Sequence, residues 1–482
     1  MRHRSRPSPP LLILLLALLA VAIVPAAAAA ATPRPAIDTA DGDSLLPGFR
    51  WGVGTYGARC LGDGLSLTVA GANGWTTSFG SGPARAGDLR KHLDLDAGEG
   101  ARITFEHRGD ERRVYVRCVP EDMGDFRFER FQPGGPRFFT IQLPANYAAV
   151  LSRDGAPVWW LPAEHFPFDA KILRDGDVAW NGGGLEGNVD YGRWELRSIT
   201  GRNIRTVSSA AGGVIDIHDH LSLPNGNDIV GVPAFVDGVD VSDHGGPADA
   251  EIRHTVLEEL TPDGELVRSW DSGEHIGLDE TPDRWWPAIV HAPRVDVSHW
   301  NAIDVDGRFM YLSFRHLDAI YKVNRKSGRI VWKLGGTKTA KSLEVHGDPR
   351  GAYPLGAQHD VNVLKDGTVT VFDNSTALDR PPRGVRYRIN ERRGTARMVE
   401  QVKDPNVVVS GAGGSARRID GGWLVGWGVS APGAVGAYDE RGKPVFRLTY
   451  ARGASYRANP VPEQISGADL RRAMNRMARR TG

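Results

Sequence analysis

The sequence predicts an all-β protein, a six-bladed β-propeller preceded by a small N-terminal β-sandwich domain. The chain contains 59 glycines and 31 prolines among 482 residues. So many helix breakers favour short strands and tight turns. After residue 135, two hairpin patterns alternate along the chain, and the turn glycines of one of them recur every 46 to 66 residues. A long series of paired hairpins is typical of a propeller.

The charge balance excludes one large class of function. Lys and Arg total 59 and Asp and Glu total 58, so the formal net charge is +1. A protein that coats nucleic acid needs a basic excess, and no nucleic-acid partner is predicted. The hydrophobic content of 41% is that of an ordinary globular protein. Two cysteines are too few for a Cys-rich zinc site or an iron–sulfur cluster.

The N-terminus has the pattern of an export signal. Met1–Pro10 is basic, Leu11–Val24 is an unbroken apolar run, and an alanine tract extends to Ala31. These features predict a cleaved signal peptide over residues 1–31, a linker over 32–43, and a secreted or extracytoplasmic protein. The alternative is a retained membrane anchor, although the run is short for a span. No later stretch approaches spanning length, so no membrane span is predicted after cleavage.

Residues 44–135 are predicted to form the β-sandwich domain. Its expected strands, separated by Gly, Asp and Pro turns, are Leu65–Val69, Ala101–His107, Arg113–Cys118 and Phe126–Phe131. In an oxidising compartment Cys60 and Cys118 form the one available disulfide pair. Closing a loop of about 58 residues would contribute on the order of 4 kcal/mol in the chain-entropy model. The alternative is two buried thiols.

Residues 136–458 are predicted to form the propeller, and 459–482 a basic tail that is either a surface helix or frayed. The outer hairpins are expected at Tyr147–Pro162, Trp194–Ser208, Thr255–Trp270, Ala319–Leu334, Tyr387–Val402 and Gly436–Tyr450. The inner hairpins have Asx-Gly turns at 175–176, 225–226, 306–307, 366–367 and 420–421. The sixth blade lacks an inner hairpin, so we expect Phe138–Gln142 and residues after Tyr450 to complete it. Short loops are expected at the mouth of the channel.

Histidines recur at one position of the inner hairpins. Seven residues before the turn's Asx lie Phe168, His218, His299, His359 and Gly413. Inner strands line the axis of a propeller, so the three imidazoles are expected to meet near one end of it. Asn301 follows His299 by two residues and is expected on the same face. Arg315 is expected opposite His299 across the hairpin, with His316 facing the other way.

Two other interpretations of these residues remain open. A histidine at a strand start often only caps a loop, although three at one position make that interpretation less favourable. His218 and His220 could instead be two ligands of a metal ion, since residues two apart share a strand face. His220 has no counterpart in the other hairpins, so no metal site is predicted. Which of the two faces the channel is not decided by the pattern.

Imidazoles beside a guanidinium and a carboxamide suit the transfer of an anionic group. Neutral imidazole is a nucleophile near pH 7 and can carry the transferred group. The other histidines can exchange protons with a phenol, and Arg315 and Asn301 can hold sulfate or phosphate oxygens. No GxxxxGK[ST], HExxH or GxSxG motif is present. No nucleotide donor and no cofactor are therefore predicted.

Four segments resemble the bacterial arylsulfotransferases (aryl-sulfate sulfotransferases). They are Asp216-Ile-His218-Asp with Leu-Pro-Asn-Gly behind it, Ser298-His299-Trp-Asn301, Ser313-Phe-Arg315-His with Ile-Val-Trp-Lys-Leu-Gly-Gly behind it, and Gln358-His359-Asp-Val-Asn362. The resemblance covers about residues 44–450, including Tyr115-Val-Arg-Cys118. It implies ping-pong transfer of a sulfuryl group from a phenolic sulfate ester to another phenol, without a nucleotide donor. His359 would be the nucleophile, His299, Asn301 and Arg315 would bind the sulfate, and His218 would complete the site.

Three other functions remain open at this point. The first is a non-catalytic extracellular propeller that binds an anionic ligand or glycan, for which the Arg-rich stretch Arg380–Arg393 is a candidate surface. The second is a hydrolase that sends the sulfuryl group to water with the same residues. The third is a quinone-dependent dehydrogenase. Trp332 is nearly alone in its motif, and the repeated Trp motifs of such enzymes are missing.

Overall fold

The computed structural model describes residues 33–40, 45–60, 64–186 and 189–481. The predicted signal peptide, residues 1–31, lies outside the described residues. Of the predicted linker, residues 33–40 are described. The regular structure of the described residues is nearly all β, as predicted, and forms many small sheets. None of the helices in these residues has the length and apolar character of a membrane span.

Two sheets of the N-terminal region share one apolar core. In sheet order, the first contains Ala36–Thr39, Leu65–Ala70 and Leu89–Leu93, and the second contains Thr55–Arg59, Asp110–Val119, Gly100–His107, Thr76–Phe79 and Arg85–Ala86. The predicted disulfide joins Cys60 and Cys118. Cys118 is fully buried in this core, so the bridge fastens the second sheet from within.

Six further sheets of antiparallel strands follow within the described residues, named I to VI here. In chain order they are: I, Phe138–Leu143, Tyr147–Ser152, Pro157–Pro162 and Asn459–Pro460; II, Phe168–Ile172, Val178–Asn181, Trp194–Arg197 and Asn203–Val207; III, His220–Ser222, Asp228–Val239, Ala250–Leu260 and Leu266–Asp271; IV, Trp300–Asp306, Phe309–Phe314, Ala319–Asn324 and Ile330–Gly335; V, His359–Val363, Thr368–Asp373, Arg383–Asn390 and Thr395–Val402; VI, Ser415–Ile419, Gly422–Gly426, Ala434–Asp439 and Pro444–Tyr450.

Short elements extend these sheets. Val295–Asp296 lies parallel to Ala250–Leu260 in sheet III, and Glu344–His346 lies parallel to Thr395–Val402 in sheet V. Gly184–Glu186 and Val189–Tyr191 form a hairpin of their own. The short helices are Ser242–His244, Ser272–Glu274, Leu278–Glu280, Trp286–Ile289 and Arg315–Leu317. Every predicted hairpin of both series occurs at its predicted turn.

The two ends of the repeat region meet in sheet I. Asn459–Pro460 pairs with Phe138–Leu143, as expected for residues that complete the sixth unit. One strand pairs differently from the prediction. Phe126–Arg130, assigned to the N-terminal domain from its alternation, is the outermost strand of sheet VI, next to Pro444–Tyr450. Its own pattern of side chains could not distinguish the two neighbours, because either sheet buries one face of it.

Carboxylates on the first strands join neighbouring sheets. Asp219 accepts the backbone N–H of Ile303 at 3.0 Å, Asp304 accepts that of Val363 at 2.7 Å, and Asp360 accepts that of Ala416 at 2.9 Å. Each bond runs from one sheet to the next, namely III to IV, IV to V and V to VI. A buried N–H without such a partner would cost free energy, so these carboxylates specify how the sheets pack.

Arg457, which is fully buried, binds several of the same strands at once. Its guanidinium lies 3.1 Å from a carboxylate oxygen of Asp169, 3.2 Å from one of Asp219 and 3.8 Å from one of Asp360. It also donates to the carbonyl of Asn301 at 2.7 Å. Burial alone would lower the pKa of Arg457, but the surrounding carboxylates, Asp169 first, raise it well above its ordinary value. Sheets II, III, IV and V therefore share one buried cation.

Sheet III has longer loops than predicted at the end of the sheet where His218 lies. Asp216 donates its N–H to the carbonyl of Gly231, so residues 232–239 and their partners extend beyond the histidines. A segment over residues 272–294 packs beside this extension. Side chains of both segments, among them Trp285 and Trp286, form a small apolar cluster with Ala357, which precedes sheet V. We call residues 232–256 and 272–297 the cap. The prediction of short loops was wrong because the long hairpin continues without a new turn signal.

Residues 467–481 form a helix that packs into the core, where a surface helix or frayed tail was predicted. Ser466 and Asp469 bond reciprocally at its start, as in a capping box. Leu470 and Met474 are buried against sheet I. Asn475 accepts a hydrogen bond from Arg117 at 2.7 Å, so the helix joins the N-terminal region to the sheets.

Candidate active site

The three aligned histidines lie at the same end of sheets III, IV and V. The rings of His218 and His299 meet edge to face, with centroids 4.8 Å apart. His359 begins the first strand of sheet V and is 1% exposed. Burial lowers its pKa well below the ordinary value, and the nearby charges of Arg315, His218 and His299 lower it further. The register of the inner hairpins therefore predicted a real cluster.

The hydrogen bonds of His359 fix its tautomer. Its Nδ1 faces two acceptors, the carbonyl of Ala357 at 3.0 Å and the side-chain oxygen of Asn374 at 2.8 Å. Asn374 is oriented by donating to Ser410 and to the carbonyl of Gly413. Nδ1 therefore carries the proton, and Nε2 carries the lone pair, which accepts the N–H of Gly413 at 3.2 Å. A neutral imidazole with a defined lone pair is a nucleophile.

His218 and His299 are held in another way, by carboxylates. Nδ1 of His218 lies 2.5 Å from Asp216, and Nδ1 of His299 lies 2.7 Å from Asp296. Each aspartate also accepts the backbone N–H of its own histidine. Arg253 lies between them, 3.0 Å from Asp216 and 3.5 Å from Asp296. Sequence reasoning missed this arginine and treated Asp216 only as part of a motif.

Arg315 lies opposite His299, as predicted, and donates its N–H to the carbonyl of that residue. Its guanidinium donates to Gly411 at 3.2 Å and to Nε2 of His316 at 2.7 Å. The expectation that His316 faces away was wrong. Residues 315–317 form a helical turn, so strand alternation ends at Phe314. The ring of His316 lies 4.6 Å from that of His299, and its Nδ1 donates to the carbonyl of Asp296 at 2.6 Å.

Asn301 does not share a face with His299. His299 has a left-handed backbone with φ of 51°, which interrupts the alternation on which the prediction depended. The Asn301 side chain is fully buried and donates to the carbonyl of Gln358 at 2.8 Å. It therefore supports the backbone that precedes His359.

His220 lies outside the cluster, so His218 is the histidine of this pair that faces the other two. Nε2 of His220 bonds Asp228 at 2.7 Å, and the His220 ring stacks on Trp194 with centroids 5.0 Å apart. Trp300 is buried against Gly231, where any larger residue would meet its ring. Both side chains pack the interior between sheets.

Aromatic side chains form one flank of the cluster. Phe168, which takes the register position of the histidines in sheet II, contacts Phe166 and Tyr456 with centroids 4.9 Å and 5.7 Å away. Tyr456 also contacts the ring of His218 at 6.2 Å. Gly413 fills the same register position in sheet VI, and a Cβ there would lie 2.9 Å from the ring of Tyr456. Tyr456 follows the last predicted hairpin, so the repeat could not reveal it.

The cap covers the other flank through Trp285. The guanidinium of Arg315 lies 4.6 Å from the centre of this ring, and His316 packs on it at 4.4 Å. Arg284 lies 4.2 Å from the same ring and forms two bonds of 2.6 Å with Asp318. His299 and Arg315 are half-buried, whereas His218 and His359 are buried. His299 and Arg315 are therefore more accessible from solvent than the other two histidines.

Asp296, His299 and His316 have ligand-type atoms within 4.8 Å of one another, the spacing of a possible metal site. Three of the four ring nitrogens already bond protein groups, since Nδ1 of each ring contacts Asp296 and Nε2 of His316 accepts from Arg315. Arg253 adds a second positive charge beside Asp296. A cation would have to displace these bonds, and the arrangement suits an anion better.

Fold and site together define an all-β, propeller-like protein with a cluster of histidine and arginine side chains. The profile of the family "Arylsulfotransferase (ASST)" matches residues 137–418. This is more than half of the chain, and it includes the three register histidines, Asn301 and Arg315. The chain belongs to the arylsulfotransferase family, and membership supports arylsulfotransferase activity in general. No curated protein matches the sequence.

Solved structures resemble the chain only distantly. A protein of unknown function from Bacteroides caccae is 12% identical, covers 68% of this chain and 100% of its own, and has a TM-score of 0.43. The β-propeller domain of Cps50 (Swd1) from Myceliophteria thermophila is 10% identical, covers 69% and 97%, and has a TM-score of 0.34. At these values the likeness does not bear on function.

Proposed function

We propose that the protein transfers a sulfuryl group from a phenolic sulfate ester to another phenol through a sulfo-histidine on His359, without a nucleotide donor. The observation that carries this proposal is the state of His359. Its Nδ1 proton is held by Ala357 and Asn374, and its Nε2 bears the lone pair inside a cluster of positive groups. Because burial lowers its pKa, the ring stays neutral and nucleophilic well into mildly acidic solution.

The first half-reaction transfers the sulfuryl group to the protein. Nε2 of His359 gives up its hydrogen bond from the N–H of Gly413 and attacks the sulfur atom of the donor. A nitrogen–sulfur bond forms as the bond from sulfur to the aryl oxygen breaks. The electron pair of that bond leaves with the phenolate, which takes a proton from a second histidine. Arg315 and the half-buried His299 face the sulfuryl oxygens and stabilise their charge.

The second half-reaction reverses these steps with a new phenol. The acceptor gives its proton to the second histidine, its oxygen attacks sulfur, and the nitrogen–sulfur bond breaks with its electron pair returning to Nε2. Phe166, Phe168 and Tyr456 form an aromatic flank beside His218. Such a flank suits the ring of a phenol or its sulfate ester. Donor and acceptor use one site in turn, which is ping-pong transfer.

The architecture and the cellular location of the protein are part of the proposal. We propose that sheets I to VI are the six blades of a propeller, closed by the pairing of Asn459–Pro460 with Phe138–Leu143, and that the two N-terminal sheets form a β-sandwich. Export through the N-terminal signal sequence accounts for the disulfide between Cys60 and Cys118, since such bonds persist in oxidising compartments. The protein would then act on phenolic sulfates outside the cytoplasm.

The test is to incubate purified protein with p-nitrophenyl sulfate, with and without phenol and with EDTA present. The expected result is phenol-dependent release of p-nitrophenol, formation of phenyl sulfate, and an added sulfuryl mass on His359 when no acceptor is present. His359→Ala should abolish both release and adduct. Release without phenol would indicate a hydrolase instead, and binding of the ester without release would indicate a non-catalytic binding protein.

A further inference from the structure

The three histidines of the site differ in what holds their Nδ1 atoms. His218 and His299 each bond a carboxylate, Asp216 and Asp296. His359 bonds two neutral oxygens instead. The three histidines occupy equivalent positions in their hairpins. Their hydrogen-bond partners differ, because two of the rings bond a charged group and the third does not.

The two carboxylates form one unit with Arg253. This arginine lies on the Ala250–Leu260 strand, beside Asp296 on the short parallel strand of sheet III. Its two terminal nitrogens reach Asp216 and Asp296 separately. Arg253 is 4% exposed and Asp216 is 1% exposed, so the unit is largely shielded from water. An uncompensated charge here would be costly, and the pairing keeps both carboxylates ionised.

We propose that Asp216 and Asp296, joined by Arg253, are positioning residues that make His218 and His299 the proton-exchanging groups of sulfuryl transfer and leave His359 as the neutral nucleophile. This inference rests on the proposed function of the site. It assigns proton exchange to His218 and His299 and gives the physical reason why these two rings differ from His359.

The physical reason lies in the charge of each partner. A carboxylate on Nδ1 stabilises the positive ring that forms when Nε2 takes a proton, and it fixes which nitrogen exchanges that proton. The amide oxygen of Asn374 fixes the orientation of His359 but offers no full negative charge. The side chain of Arg315 further disfavours a positive His359. Protons therefore move on His218 and His299, and the sulfuryl group moves on His359.

The charged groups around the pair are consistent with this assignment. His299 faces Asp296, His218 and His316, and Arg253 and Arg315 lie beyond those partners. Burial alone would raise the pKa of Asp296, but His299 and Arg253 hold it below its ordinary value. The same holds for Asp216, with His218 and Arg253 outweighing burial. Both stay anionic at the pH at which the departing phenolate accepts a proton.

The test compares donors with different leaving groups in the full chain. Asp216→Asn and Asp296→Asn remove the charge and keep the size. Proton donation matters most when the departing phenol is weakly acidic. We expect kcat/KM for unsubstituted phenyl sulfate to fall by about 10²- to 10³-fold, and that for p-nitrophenyl sulfate by less than about tenfold. Asp296→Glu, which keeps the charge, should retain part of the activity that Asp296→Asn loses.

Asp228→Asn is the matched control, because Asp228 also bonds a buried histidine, His220, and an arginine, Arg205 of the neighbouring sheet II. Asp228→Asn should change the stability of the protein without changing the ratio of kcat/KM for phenyl sulfate to kcat/KM for p-nitrophenyl sulfate. An equal loss for both donors in the site variants would mean a structural role only and would overturn the proposal. NMR gives a readout independent of turnover, since each variant should lose one hydrogen-bonded Nδ1 proton signal.

The same assay separates failure of this inference from failure of the proposed function. Phenol-dependent transfer in the unmodified protein, with variants that respond equally to both donors, contradicts only the role of the carboxylates. No transfer by the unmodified protein contradicts both.

Discussion

Two neighbouring positions on the inner strands have opposite environments. One carries His218, His299 and His359, and the next carries Asp169, Asp219 and Asp360 in sheets II, III and V. The histidines face a partly open site through His299, whereas the aspartates are at most 5% exposed and surround Arg457. Adjacent residues of the chain therefore serve different purposes: the histidines line the candidate site, and the aspartates hold the sheets together.

Backbone geometry makes this possible, since consecutive strand residues normally point to opposite faces. The pairing shifts near the start of three of these strands, between Phe168 and Lys171, Trp300 and Ala302, and His359 and Asn362. Asp169, His299 and Asp360 have positive φ there. A bulge re-aims a side chain, so adjacent residues can both point towards the axis.

His359→Gln should give the largest effect and the clearest separation of the two positions. We expect sulfuryl transfer to fall by a factor on the order of 10⁴ or more, because the nucleophile is lost. Stability should change by no more than about 1 kcal/mol, since glutamine keeps a polar group near Asn374. Steady-state assays and urea unfolding measure the two quantities. A large loss of stability would show that this position also serves assembly.

Arg457→Met should have the reverse profile. Removing the cation leaves Asp169 and Asp219 buried without their main partner, and we expect a loss of about 3–5 kcal/mol in the free energy of unfolding. Arg388→Met is the control, because the Arg388–Asp366 pair is exposed and 3.8 Å apart, where the loss should be below about 1 kcal/mol. Equal effects of the two variants in urea unfolding would contradict the assembly role.

Tyr456→Ala should weaken binding of aromatic donors, because the tyrosine ring contacts Phe168 and His218 on the flank of the site. We expect KM for p-nitrophenyl sulfate to rise about tenfold, equivalent to about 1.4 kcal/mol, with a smaller change in kcat. Tyr456→Phe keeps the ring and is the control. If both variants behave alike, the hydroxyl and not the ring is the important group.

Asp304→Asn should give the smallest effect and one that depends on pH. Burial raises the pKa of Asp304 to about 6, so the folded protein binds this proton more tightly than the unfolded chain. The stability it contributes is present below about pH 4 and is lost as the pH rises through 6. Asparagine cannot ionise, so the variant should gain about 1 kcal/mol relative to the parent between pH 4 and 7, allowing for partial solvent exposure.

Asp219→Asn is the opposite case for the same measurement. Burial alone would raise the pKa of Asp219, but Arg457 and Lys171 lower it below its ordinary value. The variant should therefore lose stability relative to the parent as the pH rises. Thermal unfolding across the pH range compares the two variants, and the same sign for both would contradict the role of the cations.

Much of the fold was predictable because its signals are local. Each hairpin places glycine at a turn that needs positive φ, as at Gly201 and Gly367, and the repeat supplies the register. The pairing of Phe126–Arg130 with sheet VI and the burial of Leu470 are long-range choices between surfaces that all offer an apolar face. No short pattern can express such a choice.

The site was predictable where it follows the register and not where backbone geometry interrupts it. His218, His299, His359 and Arg315 meet as expected. Asn301 and His316 were misplaced because positive φ at His299 and the turn after Phe314 break the alternation. Arg253 and Tyr456 come from segments outside the aligned positions, and only the folded chain brings them to the histidines.

The position of Arg457 along the chain has a consequence for biosynthesis. Residues 456–460 supply the aromatic ring beside His218, the central cation and the strand that closes sheet I. They are made after every strand of sheets II to VI. The nascent chain therefore cannot complete the surroundings of His218, place the shared cation or close sheet I before this segment emerges.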